Sequence, residues 1–242
     1  MITDLDSANN TEHNRSGSYN LINTDDVLSK LTDTGWTIAS ASEKMVRVME
    51  NIGKQFHIIK LEHPDLYVGD DPINLVFSNS HDGKNAAKFR LGLFRMVCSN
   101  GLVAGDELVP SISVPHAQKQ ISKAIDMVIN YMISKASDMH EVVQVMQKTK
   151  LLEDQKKQLA REALMIKGFK DVNDFQIDSV LIANRPEDEG DDLWRTYNTV
   201  QESIENGLYM LDEAGKGRVI KSEVKKLDFN TKLFDTAVRL AA

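Results

Sequence analysis

Ile121, Ile125, Val128, Ile129, Met132, Ala136, Met139, Val143 and Met146 recur at intervals of three and four residues. That spacing draws an apolar stripe down one side of a long helix, and such a stripe has to be covered by other parts of the chain. Ser113 stands where it can cap this helix, with Pro115 in its expected first turn. A second helix is expected over LLEDQKKQLAREALMIKG, ending at Gly168, and a third over DLWRTYNTVQESIENGLYML. The acidic run RPEDEGDD between these two reads as a loop, and NTKLFDTAVRLA closes the chain as a further amphipathic segment.

The preceding part is patterned differently. NTDDVLSKLTDTG predicts a short helix, with Thr24 as cap, Asp25 and Asp26 in the first turn and Gly35 at the end. WTIASASEKMVRVM fits strand or helix. KQFHIIKL alternates between Gly53 and an HPD turn and predicts a strand. Asp82-Gly83, between the apolar segments INLVFSNS and AAKFRLGLFRMVCS, is a hairpin signal. Residues 86–98 themselves fit a bulged strand or a helix starting at Ala86.

The fold class expected is α+β: a small antiparallel β-sheet with a hairpin, followed by long amphipathic helices. Residues 1–18, polar and without period, are expected to form a flexible tail. Residues 19–242 are expected to form a single domain, strand-rich over 36–114 and helical over 115–242.

No apolar run approaches the roughly 18 residues of a membrane helix, and the polar N-terminus has no signal-peptide core. One cysteine supplies neither a disulfide framework nor a thiolate cluster. A cytoplasmic location and no membrane partner are the expectation. The net charge of −7 hides an uneven distribution. Residues 1–75 carry 6 basic and 12 acidic side chains, 76–170 carry 14 and 9, and 171–242 carry 9 and 15. Cations therefore gather in the middle of the chain, where a basic face could meet a polyanion.

His57, His63, His81, Asp82, Cys98 and His116 are the side chains suited to metal or hydrolytic chemistry, but HExxH, HxH and CxxC spacings are absent. Walker A, GxSxG and GxGxxG patterns are absent too, so no catalytic residue and no cofactor are assigned, and a metal is left open. Lys84, Lys88, Arg90 and Arg95 stand beside glycines and the polar Asn79, Ser80, Asn85 and Asn100, a composition suited to phosphate contacts. Phe89 and Phe94 could stack bases or fill a core. In LWRTYNTVQES, helical spacing puts Trp194, Asn198 and Gln201 on one face with Glu202 beside it, and a buried Asn or Glu there would need partners.

The ordered set NSHDG, FRMVCSNGL, PHAQKQISKA and LWRTYNTVQE resembles the phage/plasmid-like family grouped as domain of unknown function 932. YNLINTDDVLSKLTDTGW and FHIIKL resemble its opening, and FNTKLFDTAVRLA its close, so the likeness runs from Tyr19 to the C-terminus. Gly101 departs from the Thr expected after the Cys-x-Asn pair. The resemblance implies a phage, prophage or plasmid origin but no activity. Its recurring positions fall on His57, Asn79, His81, Asp82, Gly83, Arg95, Cys98, Asn100, His116, Trp194, Asn198 and Glu202. The order of elements is also loosely similar to the RecT, Red-beta and ERF group of phage single-strand annealing proteins. That likeness, at the level of fold alone, implies a basic groove and a homo-oligomer.

The leading expectation is a DNA-metabolism protein that binds single-stranded DNA and anneals complementary strands. Lys84, Lys88, Arg90 and Arg95 would contact phosphate, and Asn79, His81 and Asn100 would position the loops. A different class is an inhibitor of a host defence or restriction protein, acting by protein contact. A third is a metal-assisted nuclease or hydrolase built on His57, His81, Asp82 and His116.

Overall fold

The computed structural model describes residues 20–68, 71–94, 101–103, 110–116, 120–212 and 215–241, together with Leu5. The expected tail over 1–18 otherwise lies outside the described residues. The fold is α+β. The chain gathers into two compact units, residues 1–96 with 109–137 and residues 97–108 with 138–242.

The first unit opens with helix α1 (Thr24–Asp33) and then builds an antiparallel meander of β1 (Thr37–Glu43), β2 (His57–Val68), β3 (Asp71–Asn79) and β4 (Ala87–Phe94). The segment that fitted strand or helix is therefore strand β1, followed by a 3-10 turn at Met49–Asn51. The expected HPD turn does not form: β2 continues through Pro64, and its register with β3 shifts between Glu62 and Tyr67. A bulge tolerates a proline that a regular ladder would exclude. Strands β3 and β4 form the expected hairpin around Asp82-Gly83, and 87–94 is strand rather than helix.

Side chains alternate across this sheet. His57, Ile59 and Leu61 share a face with Leu75, Phe77 and Asn79 of β3 and with Phe89 and Leu91 of β4, by register. Phe77 and Phe89 meet as cross-strand partners with ring centroids 4.9 Å apart. Helix α1 runs along this face, buries Val27, Leu28 and Leu31, and is bracketed by two histidines of β2. At its start Thr24 meets His57; at its end the Thr34 carbonyl lies 3.1 Å from His63 Nε2, and Trp36 packs edge-on against the His63 ring. Gly35 has φ +96°, and a Cβ there would come within 2.6 Å of His63 Nε2, so glycine lets the helix end flush against the sheet.

The short strand β6 (Ile112–Val114) pairs antiparallel with β4. Ser113 and Pro115 therefore do not open the long helix; Ser113 lies opposite Lys88, and helix α2 (Ile121–Lys148) begins six residues beyond Pro115. Its 28 residues span about 42 Å. Every member of the apolar stripe is buried except Ile121, which is half-buried. Near its start Asp126 pairs with Lys30 of α1.

In the second unit the end of α2 is followed by α3 (Glu153–Lys167), α4 (Asp174–Val180), α5 (Leu193–Glu205) and α6 (Glu223–Ala241), with a short strand β5 (Gly101–Val103) beside α6. Helix α5 is the centre: all its residues are buried except Arg195. Asp192 caps it, accepting from the Arg195 amide at 3.0 Å. The α2–α3 connection holds its start through the bonds Leu151 N–H to Asp191 O and Leu193 N–H to Thr149 O, both 2.8 Å. The helix expected to reach Leu211 ends at Glu205, where Asn206-Gly207 turns the chain.

Candidate functional site

Four of the sequence-flagged residues converge. His57, Asn79, His81 and His116 are buried together with Thr24, supplied by β2, the end of β3, the hairpin turn, the turn after β6 and the first residue of α1. Thr24 was expected to cap its helix; Asn23 does so instead, its side chain accepting from the amides of Asp25 (2.8 Å) and Asp26 (3.4 Å). That frees the Thr24 hydroxyl to face the sheet.

The partners fix where the protons sit. The Gln55 carbonyl only accepts, so His57 Nδ1–H donates to it (3.1 Å), and His57 Nε2 accepts from the Thr24 hydroxyl (2.8 Å). With its one proton committed, Thr24 Oγ1 accepts from Asn79 Nδ2 (3.2 Å) and His81 Nε2 (3.4 Å). Asn79 Nδ2 also donates to the Ile22 carbonyl (2.9 Å), which sets the amide's orientation. Its Oδ1 accepts from the Ser80 amide (2.9 Å) and His116 Nε2 (3.2 Å), and His116 Nδ1 faces the Ile22 N–H at 3.3 Å. Burial pushes the His57 pKa below its ordinary value, against the pull of the Gln55 carbonyl and Glu43. The imidazole is therefore neutral, as this pattern requires.

Thr24 and His57 have the spacing of a hydroxyl nucleophile and its base. Both are 0% exposed, so no substrate reaches the hydroxyl. The cluster acts as a joint that ties the N-terminal segment, the sheet and the turn after β6 into one piece. Among the described residues no group of three or more His, Cys, Asp or Glu is placed to hold a metal ion.

The hairpin cations lie outside this joint. Lys84 is exposed at the turn, 3.7 Å from Asp82. Asp82 Oδ1 accepts from Ser80 Oγ (2.7 Å) and the Lys84 amide (3.0 Å), which shapes the turn. Lys88 and Arg90 are half-buried on the face of β4 opposite Phe89 and Leu91. Asn79 and His81 are fully buried and so cannot touch a strand directly. Arg95, Cys98 and Asn100 lie outside the described residues.

One neighbour of the hairpin was not singled out in the sequence. The His81 amide donates to the Lys54 carbonyl at 3.1 Å, which sets the β1–β2 connection beside the hairpin turn. That connection exposes Met45 (89%), Met49 (82%), Val48 and Ile52 among the cations Lys44, Arg47 and Lys54. A run of apolar residues with basic neighbours but no period of 2 or 3.6 was its sequence signal.

Trp194, Asn198 and Glu202 belong to the second unit. Glu202 is nearly fully buried and forms a bidentate pair with Arg185: Nε reaches its carboxylate oxygens at 3.0 and 3.2 Å and Nη2 reaches Oε1 at 2.8 Å. Asn198 Nδ2 donates to the Trp194 carbonyl at 2.7 Å, while its buried Oδ1 has no hydrogen-bond partner among the described residues. The next face of α5 meets α6 in a ladder. Tyr197 packs edge-on to Phe234, Gln201 Nε2 donates to Asn230 Oδ1 (3.0 Å), and Glu205 takes Lys226 (3.5 Å) and Asn230 Nδ2 (3.4 Å). Burial, then the charge of Glu205, raises the Tyr197 pKa well above its ordinary value, and its buried hydroxyl has no hydrogen-bond partner among the described residues.

A family model described as Domain of unknown function (DUF932) matches residues 13–231, a span that includes the buried joint, the hairpin and α5. The chain belongs to the DUF932 family. The UPF0380 proteins YfjQ and YafZ of Escherichia coli (strain K12) are 28% and 29% identical to it, each over 219 residues, covering 90% of this chain and 80% of the relative. No solved structure matches the chain. No helix among the described residues is long and apolar enough to cross a membrane.

Proposed function

We propose that this DUF932 protein binds single-stranded DNA at the end of its sheet, anneals complementary strands there, and serves phage or plasmid DNA metabolism. The observation that carries this reading is the juxtaposition of the β1–β2 connection with the β3–β4 turn through the Lys54–His81 backbone bond. Lys44, Arg47, Lys54 and Lys84 stand on these two segments, with Lys88 at the start of β4, against Glu43 at the end of β1, Glu50 and Asp82. Exposed Met45, Val48, Met49 and Ile52 accompany them. Cations track a phosphate backbone, and soft apolar side chains tolerate any base face, so the combination suits a flexible strand without sequence preference.

Fluorescence anisotropy of a labelled single-stranded oligonucleotide tests the reading. Binding is expected at low salt, weakening by about 0.7 log units per phosphate contact for each tenfold rise in salt. Lys88→Glu and Arg47→Glu are expected to weaken it further. Absence of binding at low salt sinks the proposal.

A second reading has its own support. Met45 and Met49 both expose large apolar side chains on the β1–β2 connection, as protein-contact surfaces do, which fits an inhibitor of a host defence or restriction protein. Nuclease-resistant capture of one defined host protein, lost in Met45→Glu/Met49→Glu, favours it; recovery of nucleic acid alone counts against it.

A further inference from the structure

Where α3 ends, the chain turns at Gly168 and sets Phe169 edge-on against Tyr209, ring centroids 5.9 Å apart and planes at 84°. The backbone of 217–218 lies against Tyr209: the Gly217 amide donates to the Tyr209 carbonyl at 2.7 Å, and a Cβ on Gly217 would fall 2.3 Å from the ring. Lys167 Nζ donates to the Arg218 carbonyl at 2.9 Å. Lys167, Gly168, Phe169, Tyr209, Leu211 and Arg218 thus line an open cleft of about 350 Å³. That is at the small end of the roughly 300–1,000 Å³ of small-molecule sites.

Among the described residues that line the cleft none is acidic. Partial burial, then the nearby charge of Lys225, lowers the Lys167 pKa against the opposing pull of Glu205. Glu205 is already engaged by Lys226 and Asn230. Arg218 is exposed and, among the described residues, takes part in no ion pair. A ligand that fits brings an anionic group for Arg218 and Lys167 and a planar ring for half-exposed Phe169.

We propose that this cleft binds a nucleoside phosphate, its base against Phe169 and its phosphate between Arg218 and Lys167. The nucleotide is either free or the phosphorylated end of a strand. The site lies in the second unit and does not depend on the DNA-binding reading of the hairpin.

Isothermal titration of the full chain with the four nucleoside monophosphates, a nucleoside and inorganic phosphate tests it. At least one monophosphate is expected to bind, with nucleoside or phosphate alone at least about tenfold weaker. Arg218→Ala and Phe169→Ala are each expected to cost about tenfold or more in affinity. Arg218 is exposed, so its variant keeps the fold, which circular dichroism checks. Competition by a 5′-phosphorylated oligonucleotide assigns the ligand to a strand end, and failure to compete assigns it to the free nucleotide. No heat from any monophosphate at millimolar concentration overturns the proposal. So does unchanged affinity in Arg218→Ala, or phosphate alone binding as tightly as the nucleotide. Loss of oligonucleotide anisotropy in Lys88→Glu, with nucleotide heat measured separately, keeps a failure of the hairpin reading distinct from a failure here.

Discussion

In the first unit Thr24, His57, Asn79, His81 and His116 are buried in one hydrogen-bonded network in which burial holds His57 neutral. In the second unit Glu202 and Glu205 are buried as carboxylates, held by Arg185 and Lys226. Partial burial pulls the Lys226 pKa down, but Glu205 and Glu223 outweigh it and the net shift is upward. A neutral network needs geometry at every atom but no counter-charge. A buried ion pair needs good geometry and a counter-charge as well, and it leaves a costly charge behind when one partner is removed. The two units should therefore fail differently. Each has its own reporter, since the chain has two tryptophans, Trp36 in the first unit and Trp194 in the second.

The largest effect is expected from Arg185→Met. It strips the bidentate partner from a carboxylate that water barely reaches and should cost about 3 kcal/mol, read as a lowered urea midpoint of the Trp194 signal. The double variant Arg185→Met/Glu202→Met should recover most of that loss, because an apolar pair removes the charge as well. A double variant as unstable as the single one would mean that the ion pair itself, rather than the stranded charge, matters.

Thr24→Val tests the neutral network with little change of shape. It removes the proton that His57 accepts and the oxygen that Asn79 and His81 approach, at an expected cost of about 2 kcal/mol in the Trp36 transition. Thr24→Ser should keep most of the stability. Equal losses in Val and Ser would show that packing, not hydrogen bonding, sets the value of this position.

The sequence made some of this legible and hid the rest for physical reasons. The α2 stripe was readable because burial along a helix follows one local period, and eight of its nine positions are buried. The hairpin was readable because Asp-Gly specifies its own turn. Asn23 and Thr24 are both capping types, and only the packing of α1 on β2 decides that Asn23 caps while Thr24 turns inward. Ser113 and Pro115 carry a helix-start signature, but pairing with the edge of β4, far away in sequence, captures 112–114 as strand. The convergence of His57 and Asn79 depends on the β2–β3 register, and His116 joins them only because the chain returns after β6. No local pattern encodes such a meeting.

Acid should separate the units. His57 is held below its ordinary pKa in the folded chain, so the unfolded chain takes up the proton first. Its stabilising contribution is therefore complete above about pH 6.5 and is lost as pH falls through the folded value, by at most about 1.4 kcal/mol per pH unit. The only histidine in the second unit, His140, is not buried. Urea midpoints from Trp36 should fall between pH 7 and 5 by more than those from Trp194, and His57→Gln should flatten the Trp36 dependence. Parallel curves for the two probes in the wild-type chain would contradict the neutral assignment.

The smallest stability effect is expected at the hairpin turn, and it divides structure from function. Lys84 is largely exposed, and its pairing with Asp82 across 3.7 Å is a surface contact, so Lys84→Ala should change stability by no more than about 0.5 kcal/mol. Asp82→Ala should cost more, about 1 kcal/mol, because it removes the acceptor for Ser80 Oγ and the Lys84 amide that closes the turn. Against single-stranded DNA the order should invert. Lys84→Ala should weaken binding and lower the salt slope by about 0.7, the value of one phosphate contact. Asp82→Ala removes a competing carboxylate and should leave affinity equal or higher. If both variants weaken binding in proportion to their loss of stability, the turn contributes only its shape, and the cations of the β1–β2 connection carry the contact.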